Sequence, residues 1–142
     1  MSIINALREY LSEYDGLEMV LTDMTRGPGS YAITQSAGGT VKRDILGNKT
    51  YQNSYIFLAK EHGGDEVDRR GNYDFLESFC DWLEERNDRG DLPELSPPYT
   101  PASVEVSNVL LMSTEESGEA TYQVQIQFVY RKNNEVKNKW LT

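Results

Sequence analysis

The alternation of apolar and polar residues predicts that strands make up much of this chain. Apolar residues at every second position from Tyr122 to Tyr130 alternate with glutamines, which predicts a strand over residues 121–130. Residues 50–60 are apolar on both faces in their second half, which is typical of a covered, central strand. Shorter strands are predicted over residues 17–22, 30–35, 41–46 and 103–112, with a hairpin loop over residues 114–119.

Two segments have helical periodicity instead. Residues 2–14 carry apolar residues at helical spacing behind Ser2, a plausible N-cap. Residues 73–86 carry the apolar stripe of the main helix, and residues 65–70 could form a first turn that Gly71 and Asn72 interrupt.

This order of elements predicts one α+β domain over residues 1–142. We expect a mainly antiparallel or mixed sheet with two helices packed on one face. Residues 131–142 are predicted to form a polar, mobile tail.

Composition narrows the classes of function. The chain has 142 residues, with 23 acidic and 14 basic side chains and a formal charge of −9. A protein that recognises nucleic acid usually carries a net basic face, so we expect no sequence-specific nucleic-acid partner. No apolar run approaches the roughly twenty residues of a membrane helix, so no membrane partner is expected. With one cysteine and one histidine, the chain has neither an internal disulfide nor a zinc site of thiolates and imidazoles. No metal or cofactor is expected.

Charge is unevenly distributed along the chain. Acidic residues concentrate in residues 65–95, and basic residues concentrate in residues 121–142. The two groups could pair within a subunit, pair between subunits, or remain solvated faces that never meet, since surface pairs contribute only about 0–1 kcal/mol each. The tyrosines of the predicted strands could form the core or an interface. The candidate interface residues are Glu84, Glu85, Asp88, Arg131, Lys132, Lys137, Lys139, Tyr51 and Tyr55.

Residues with catalytic potential do not form a recognisable motif. His62 follows a predicted strand and is interpreted as an exposed turn residue. Cys80 lies on the apolar stripe of the main helix and is interpreted as a small core residue. Asp65 and its acidic neighbours could hold a hard cation, but helix capping is the better account. We therefore predict no catalytic residue; the remaining catalytic alternative is a small hydrolase that uses Asp23 or Asp44.

Several short sequence segments point to a family. They are residues 44–55, Phe57, Glu66-Val67-Asp68-Arg69, Phe75-Leu76, Asp81-Trp82-Leu83-Glu84-Glu85 and residues 122–128. Together with the short N-terminal helix and the Ser30-Tyr31-Ala32-Ile33 strand, they resemble the tail terminator, or minor capsid, proteins of long-tailed phages and prophages of Gram-positive bacteria.

The resemblance implies a structural role in the virion. Such proteins assemble as a ring, generally of six copies, on the finished tail tube, and they have no known catalytic residues. The implied partners are further copies of the chain, the tail tube protein and the head–tail connector protein, with DNA passing through the ring. The implied location is the head-proximal end of the phage tail, after assembly in the bacterial cytoplasm. We expect residues 38–47, a polar and flexible hairpin, to contact a neighbour or the tube. Another morphogenesis part, a head-completion or connector subunit, is the alternative.

Overall fold

A computed structural model describes residues 2–134. Its elements are α1 (Ile3–Leu11), β1 (Val20–Thr22), β2 (Ser30–Gln35), β3 (Thr40–Arg43), β4 (Lys49–His62), α2 (Glu66–Asp88), β5 (Tyr99–Val106), β6 (Leu110–Thr114) and β7 (Glu119–Lys132). Within residues 2–134 the strands form one seven-stranded sheet, in which β1 and β2 are parallel and the other pairings are antiparallel. The predicted α+β class with a mixed sheet is confirmed.

The long strands β4 and β7 form the centre of the sheet. They pair over their full length, with Phe57 opposite Val124 and Tyr55 opposite Ile126. β2 and β3 lie beside β4, whereas β5 and β6 lie beside β7. The prediction of a central strand over residues 50–60 is therefore confirmed.

The core lies against one face of this central pair. Phe57 on β4 and Val124 on β7 point to the same side, because they are direct partners across the ladder. Phe79 of α2 stacks on Phe57 with ring centroids 4.7 Å apart, and Leu7 and Leu11 of α1 belong to the same buried cluster. The narrower expectation that both helices lie on one face stays a prediction.

The main helix is longer than predicted. α2 continues through Gly71 and Asn72, which the sequence analysis treated as an interruption. The buried Asn72 amide donates to the backbone oxygen of His62 at 2.8 Å and to the Tyr122 hydroxyl at 3.2 Å. A residue that disfavours helices locally is therefore held in the helix by tertiary hydrogen bonds.

The first helix and strand are shorter than predicted. α1 ends at Leu11 rather than at residue 14. At this end the hydroxyl of Ser12, the C-cap, donates to the backbone oxygen of Arg8 at 2.8 Å. β1 begins at Val20 rather than at residue 17, because Glu18 has φ +57°, which is incompatible with a strand. Similarly, β3 covers Thr40–Arg43 only and gives way to a turn at Asp44.

The C-terminal half differs more. Residues 103–112 were predicted as one strand, but they belong to two, β5 and β6, with a break that begins at Ser107. There the Ser107 hydroxyl accepts a hydrogen bond from the backbone N–H of Gln125. β5 begins already at Tyr99 and shifts register after Pro101, as expected for proline in an edge strand. β7 includes Arg131 and Lys132, so the predicted tail cannot begin at residue 131. Lys137 and Lys139 lie outside the described residues.

Arg86 connects the two helices and the segment after α2. Its guanidinium donates to both carboxylate oxygens of Asp91, at 2.9 and 3.1 Å, and lies 2.7 Å from Glu13. It also stacks over the rings of Tyr10 and Trp82, at 4.0 and 4.7 Å from their centroids. Only 7% of Arg86 is exposed, so a residue that the sequence placed at a helix end is a buried hub.

The ion pair of Asp91 predicts an acid-dependent stability. The hydrogen bonds from Arg86 lower the pKa of the Asp91 carboxyl below its ordinary value. The ionised carboxylate therefore stabilises the folded state above about pH 4, and this contribution is lost as the pH falls through the lowered pKa. We expect Asp91→Asn to reduce the urea midpoint at about pH 7 and the difference from the parent chain to shrink towards about pH 3.

The matched control is Asp74→Asn, at an exposed position in the middle of α2. It should leave the urea midpoint nearly unchanged over the same pH range. A gap between Asp91→Asn and the parent chain that is independent of pH would contradict the assignment.

Candidate subunit interface

Of the candidate tyrosines, the structure places Tyr55 in the core. Tyr55 is 1% exposed, because the odd-numbered positions in this half of β4 face the buried side of the sheet. Tyr51 is half-buried and stacks on Tyr130 at 5.1 Å, and the Asn53 amide donates to the Tyr130 hydroxyl at 3.0 Å. Tyr55 is therefore a core residue of the subunit, and Tyr51 serves the internal packing of the sheet.

The acidic residues of α2 form a continuous stripe. Glu77, Asp81, Glu84 and Asp88 follow one another at spacings of four, three and four residues, so they share one face of the helix. All four are exposed. Glu84 and Asp88 were predicted for an interface from the sequence. Glu85 is also exposed but lies on a neighbouring face.

A cleft runs between this stripe and the edge of the sheet. Its volume is about 290 Å³, with Cys80, Val106 and Val109 as apolar lining and Glu77, Asp81 and Glu84 among its polar lining. We call it the acidic cleft. A second depression of about 420 Å³ shares Glu84 and Val106 with it and extends to Asp88. The α2 stripe therefore borders a concave surface rather than a flat solvated face.

Cys80 lines this cleft and is not an activated thiol. Burial raises its pKa to about 12, and the charges of Asp81, Glu84 and Glu77 act in the same direction. The thiol is therefore protonated at neutral pH and serves as a small apolar group. This agrees with its interpretation as a packing residue, although it is half-buried rather than fully covered.

Basic side chains lie at the end of the sheet where β4 begins and β7 ends. The register places Arg43 beside Lys49 and Lys49 beside Lys132, and it places Lys42 two strands from Arg131. By strand alternation Arg43, Lys49 and Lys132 share one face of the sheet, and Lys42 and Arg131 share the other. We call these five residues at this end of the sheet the basic corner. Arg131 and Lys132 were predicted from the sequence, whereas the other three were missed, because only the pairing of β3, β4 and β7 brings them together.

The segment that joins β3 to β4 carries exposed apolar residues. Ile45 is 100% exposed, Val41 53% and Leu46 50%. We call residues 40–52 the β3–β4 arm, and residues 44–48 its tip. The arm is more apolar than expected from the sequence, where residues 38–47 were interpreted as a polar, flexible hairpin.

Hydrogen bonds hold the tip of the arm in place. Asp44 Oδ1 accepts from the backbone N–H groups of Leu46 and Asn48, both at 2.9 Å, and Asn134 Nδ2 donates to the Leu46 oxygen at 2.7 Å. Desolvation raises the pKa of Asp44. The hydrogen bonds that its carboxylate accepts from Asn48 and Leu46, together with the charge of Arg131, outweigh desolvation, so the pKa of Asp44 is lowered. The arm is therefore a constrained turn that presents an isoleucine to solvent.

The other candidate residues occupy structural positions. Asp65 caps α2, where its carboxylate accepts from the Asp68 N–H at 2.8 Å, so the capping interpretation is confirmed. His62 ends β4 and is exposed. Asp23 accepts from the Thr34 hydroxyl at 3.0 Å, and Asp44 belongs to the arm. Residues 2–134 contain no group of three histidine, cysteine or carboxylate side chains placed to hold a metal ion.

The glutamine row of β7 lines a separate, shallow cavity. Gln125 and Gln127 border about 380 Å³ together with Ser54 of β4 and Glu105 of β5. Their side chains point away from the core, since they alternate with buried residues of β7. The cavity is polar and contains no converging acid and base pair.

Comparisons with known proteins do not identify a family. No family model and no curated protein matches the chain. Across the described part of the chain, neither helix has the length and apolar character needed to cross a membrane. The acidic cleft, the basic corner and the β3–β4 arm are therefore the features from which a function can be inferred.

The constrained tip predicts a position-specific cost of adding one methyl group. Gly47 has φ +86°, and a Cβ there would lie 2.5 Å from Nδ2, the side-chain amide nitrogen of Asn134. We expect Gly47→Ala to add a clash to the roughly 1–2 kcal/mol of left-handed backbone strain. Hydrogen exchange at the backbone N–H of Asn134, which donates to Asn48 Oδ1, should accelerate.

Gly38→Ala is the matched control for this prediction. Gly38 also has a positive φ, +99°, but a Cβ there meets open space. It should lower the unfolding free energy by the backbone strain alone and leave exchange at Asn134 unchanged. Equal effects of the two variants on Asn134 would show that Asn134 does not hold the tip.

Proposed function

We propose that this protein is a virion structural subunit, a tail terminator that assembles head to tail as a ring, caps the tail tube of a long-tailed phage and joins it to the head connector. Its partners are further copies of itself, the tube protein and the connector protein, with DNA passing through the ring. The observation that carries the proposal is the presence of two separate surfaces of opposite charge on one subunit. The resemblance of the sequence to tail terminators supplies the biological setting.

The separation of the two surfaces supports a head-to-tail contact. A head-to-tail contact uses different patches on each subunit and closes when the rotation per subunit is correct. The acidic cleft lies beside β5, on one edge of the sheet, and β3 of the basic corner lies on the other edge. In residues 2–134, no ion pair joins a base to Glu77, Asp81, Glu84 or Asp88. These carboxylates are therefore available to a neighbour.

Charge and apolar area have different roles in such a contact. Complementary charges orient the subunits and set the register more than they set affinity. Affinity requires buried area, about 1,200–2,000 Å² for a stable interface. The exposed apolar residues of β6, which are Leu110, Leu111 and Met112, lie directly after Val109 of the cleft and add to that area.

The use of the carboxylates supports a structural rather than a catalytic role. Asp23 and Asp44, the residues of the hydrolase alternative, accept hydrogen bonds within their own turns and adjoining strand. Asp44 is also paired with Arg131 at 3.6 Å. A lowered pKa suits a carboxylate that remains ionised as an acceptor, not a general acid.

Deletion of the gene from the phage or prophage that carries it tests the proposal. Loss of a terminator should give overlong or unjoined tails in electron micrographs. Heads that lose their DNA would instead assign the protein to head completion or to the connector. Particles with joined tails of normal length would overturn the proposal.

Charge reversal tests the ring surfaces in solution. We expect light scattering of the parent chain to show a concentration-dependent assembly approaching six times 16.2 kDa. Glu84→Lys combined with Asp88→Lys should shift this assembly to monomer, and added salt should weaken the parent assembly, because both changes reduce the attraction between subunits.

Glu85→Lys is the matched control, since Glu85 is exposed on α2 but does not line either cavity. Adding Lys42→Glu and Arg43→Glu to the double variant should restore assembly by exchanging the charges. Assembly of the double variant equal to that of the parent chain would refute the assignment of the acidic surface.

A further inference from the structure

We infer that the tip of the β3–β4 arm, with Ile45 as its anchor, inserts into the acidic cleft of a second copy of this chain. The inference deepens the ring proposal and rests on it, because it names the side chains that make the head-to-tail contact. It differs from charge pairing alone, since the apolar anchor supplies the affinity.

The exposure of Ile45 is the first step. Single exposed apolar residues are ordinary on protein surfaces, but Ile45 is fully exposed and is flanked by Leu46 and Val41, which are each about half exposed. Ile45 and Leu46 lie on a turn that Asp44 and Asn134 hold by hydrogen bonds, and Val41 lies on the adjoining strand β3. A constrained anchor loses little conformational entropy on binding, so its burial contributes more to affinity.

The chemistry of the cleft matches the arm. The cleft has an apolar lining at Val106 and Val109 and a rim of carboxylates at Glu77, Asp81 and Glu84. The arm has an apolar tip preceded by Lys42 and Arg43. An apolar side chain in a pocket, surrounded by polar contacts that exclude water, is the usual arrangement of an interface hot spot.

Strand order prevents this contact within one subunit. β3 is separated from β5 by β4 and β7, which places their backbones about 14 Å apart across three strand spacings. The tip turns at the outer end of β3 and β4, and the cleft opens beside β5 and α2. The arm of one copy can therefore fill the cleft of another copy only, which makes the contact heterologous.

Site-directed cross-linking tests the contact. In a Cys80→Ser background, Ile45→Cys at the tip is combined with Asn108→Cys, an exposed and uncharged position that lines the cleft. Under oxidising conditions we expect a ladder of disulfide-linked species larger than a dimer, in which peptide mass spectrometry finds position 45 linked to position 108 rather than either position linked to itself. The control replaces Ile45→Cys by Met24→Cys, another exposed apolar position, 75% exposed, outside the arm.

A second variant measures the contribution of the anchor. Ile45→Asp should raise the concentration of half-assembly at least about tenfold, because it removes the apolar anchor and brings a negative charge to a cleft lined by three carboxylates. It should leave the urea midpoint unchanged, since Ile45 makes no buried contact in the subunit. Met24→Asp should change neither quantity.

The outcomes separate this inference from the ring proposal. Cross-linking that stops at dimers would show a symmetric contact and overturn the inference. So would a parent chain that assembles while the Ile45→Cys and Asn108→Cys pair does not cross-link. A parent chain that stays monomeric at every concentration would also overturn it, whereas the terminator role is decided independently by the tails of the deletion phage.

Discussion

The antiparallel pairing of β4 with β7 is the interaction on which the other contacts of the fold depend. The two strands align over fourteen residue pairs, from Lys49 opposite Lys132 to His62 opposite Glu119. β2 and β3 attach to one side of this pair, and β5 and β6 attach to the other. Because side chains alternate between the two faces, a shift of one residue would turn Phe57 and its neighbours away from the core. The aromatic packing with α2 thus requires this register.

The same register also creates the charged surface at the end of the sheet. Arg43, Lys49 and Lys132 are distant in sequence but adjacent across three strands. The turn after β3 is tied to the end of β7 through Asn134, so the arm and the basic corner form one unit. The strand pairing that stabilises the core therefore also positions the surface that we assign to a neighbouring subunit.

Polar side chains in this protein mostly complete the fold. Asp65 caps a helix, Asp44 closes a turn, and Arg86 joins both helices to the segment that follows α2. The acidic stripe on α2 differs from these, because its carboxylates border a cleft and lack an ion-pair partner among residues 2–134. An acidic stripe that borders a cleft and has no ion-pair partner in this range is suited to association, which is the role that we propose.

The sequence by itself determined the class of the fold, the positions of the two long strands and the acidic character of α2. These features depend on local patterns, such as the alternation from Tyr122 to Tyr130, which any extended chain with a buried face must have. Tertiary structure alone decided that Asn72 continues a helix, that Tyr55 is buried, that Arg86 is a hub and that Lys42 lies two strands from Arg131 at the same end of the sheet. Each of these depends on a partner far away in the chain. Asn72 depends on Tyr122, Tyr55 on the opposite strand and Arg86 on Glu13, while the position of Lys42 depends on the register of β3, β4 and β7. Local propensity carries no information about such partners, since their contacts form only when the sheet closes on the helices.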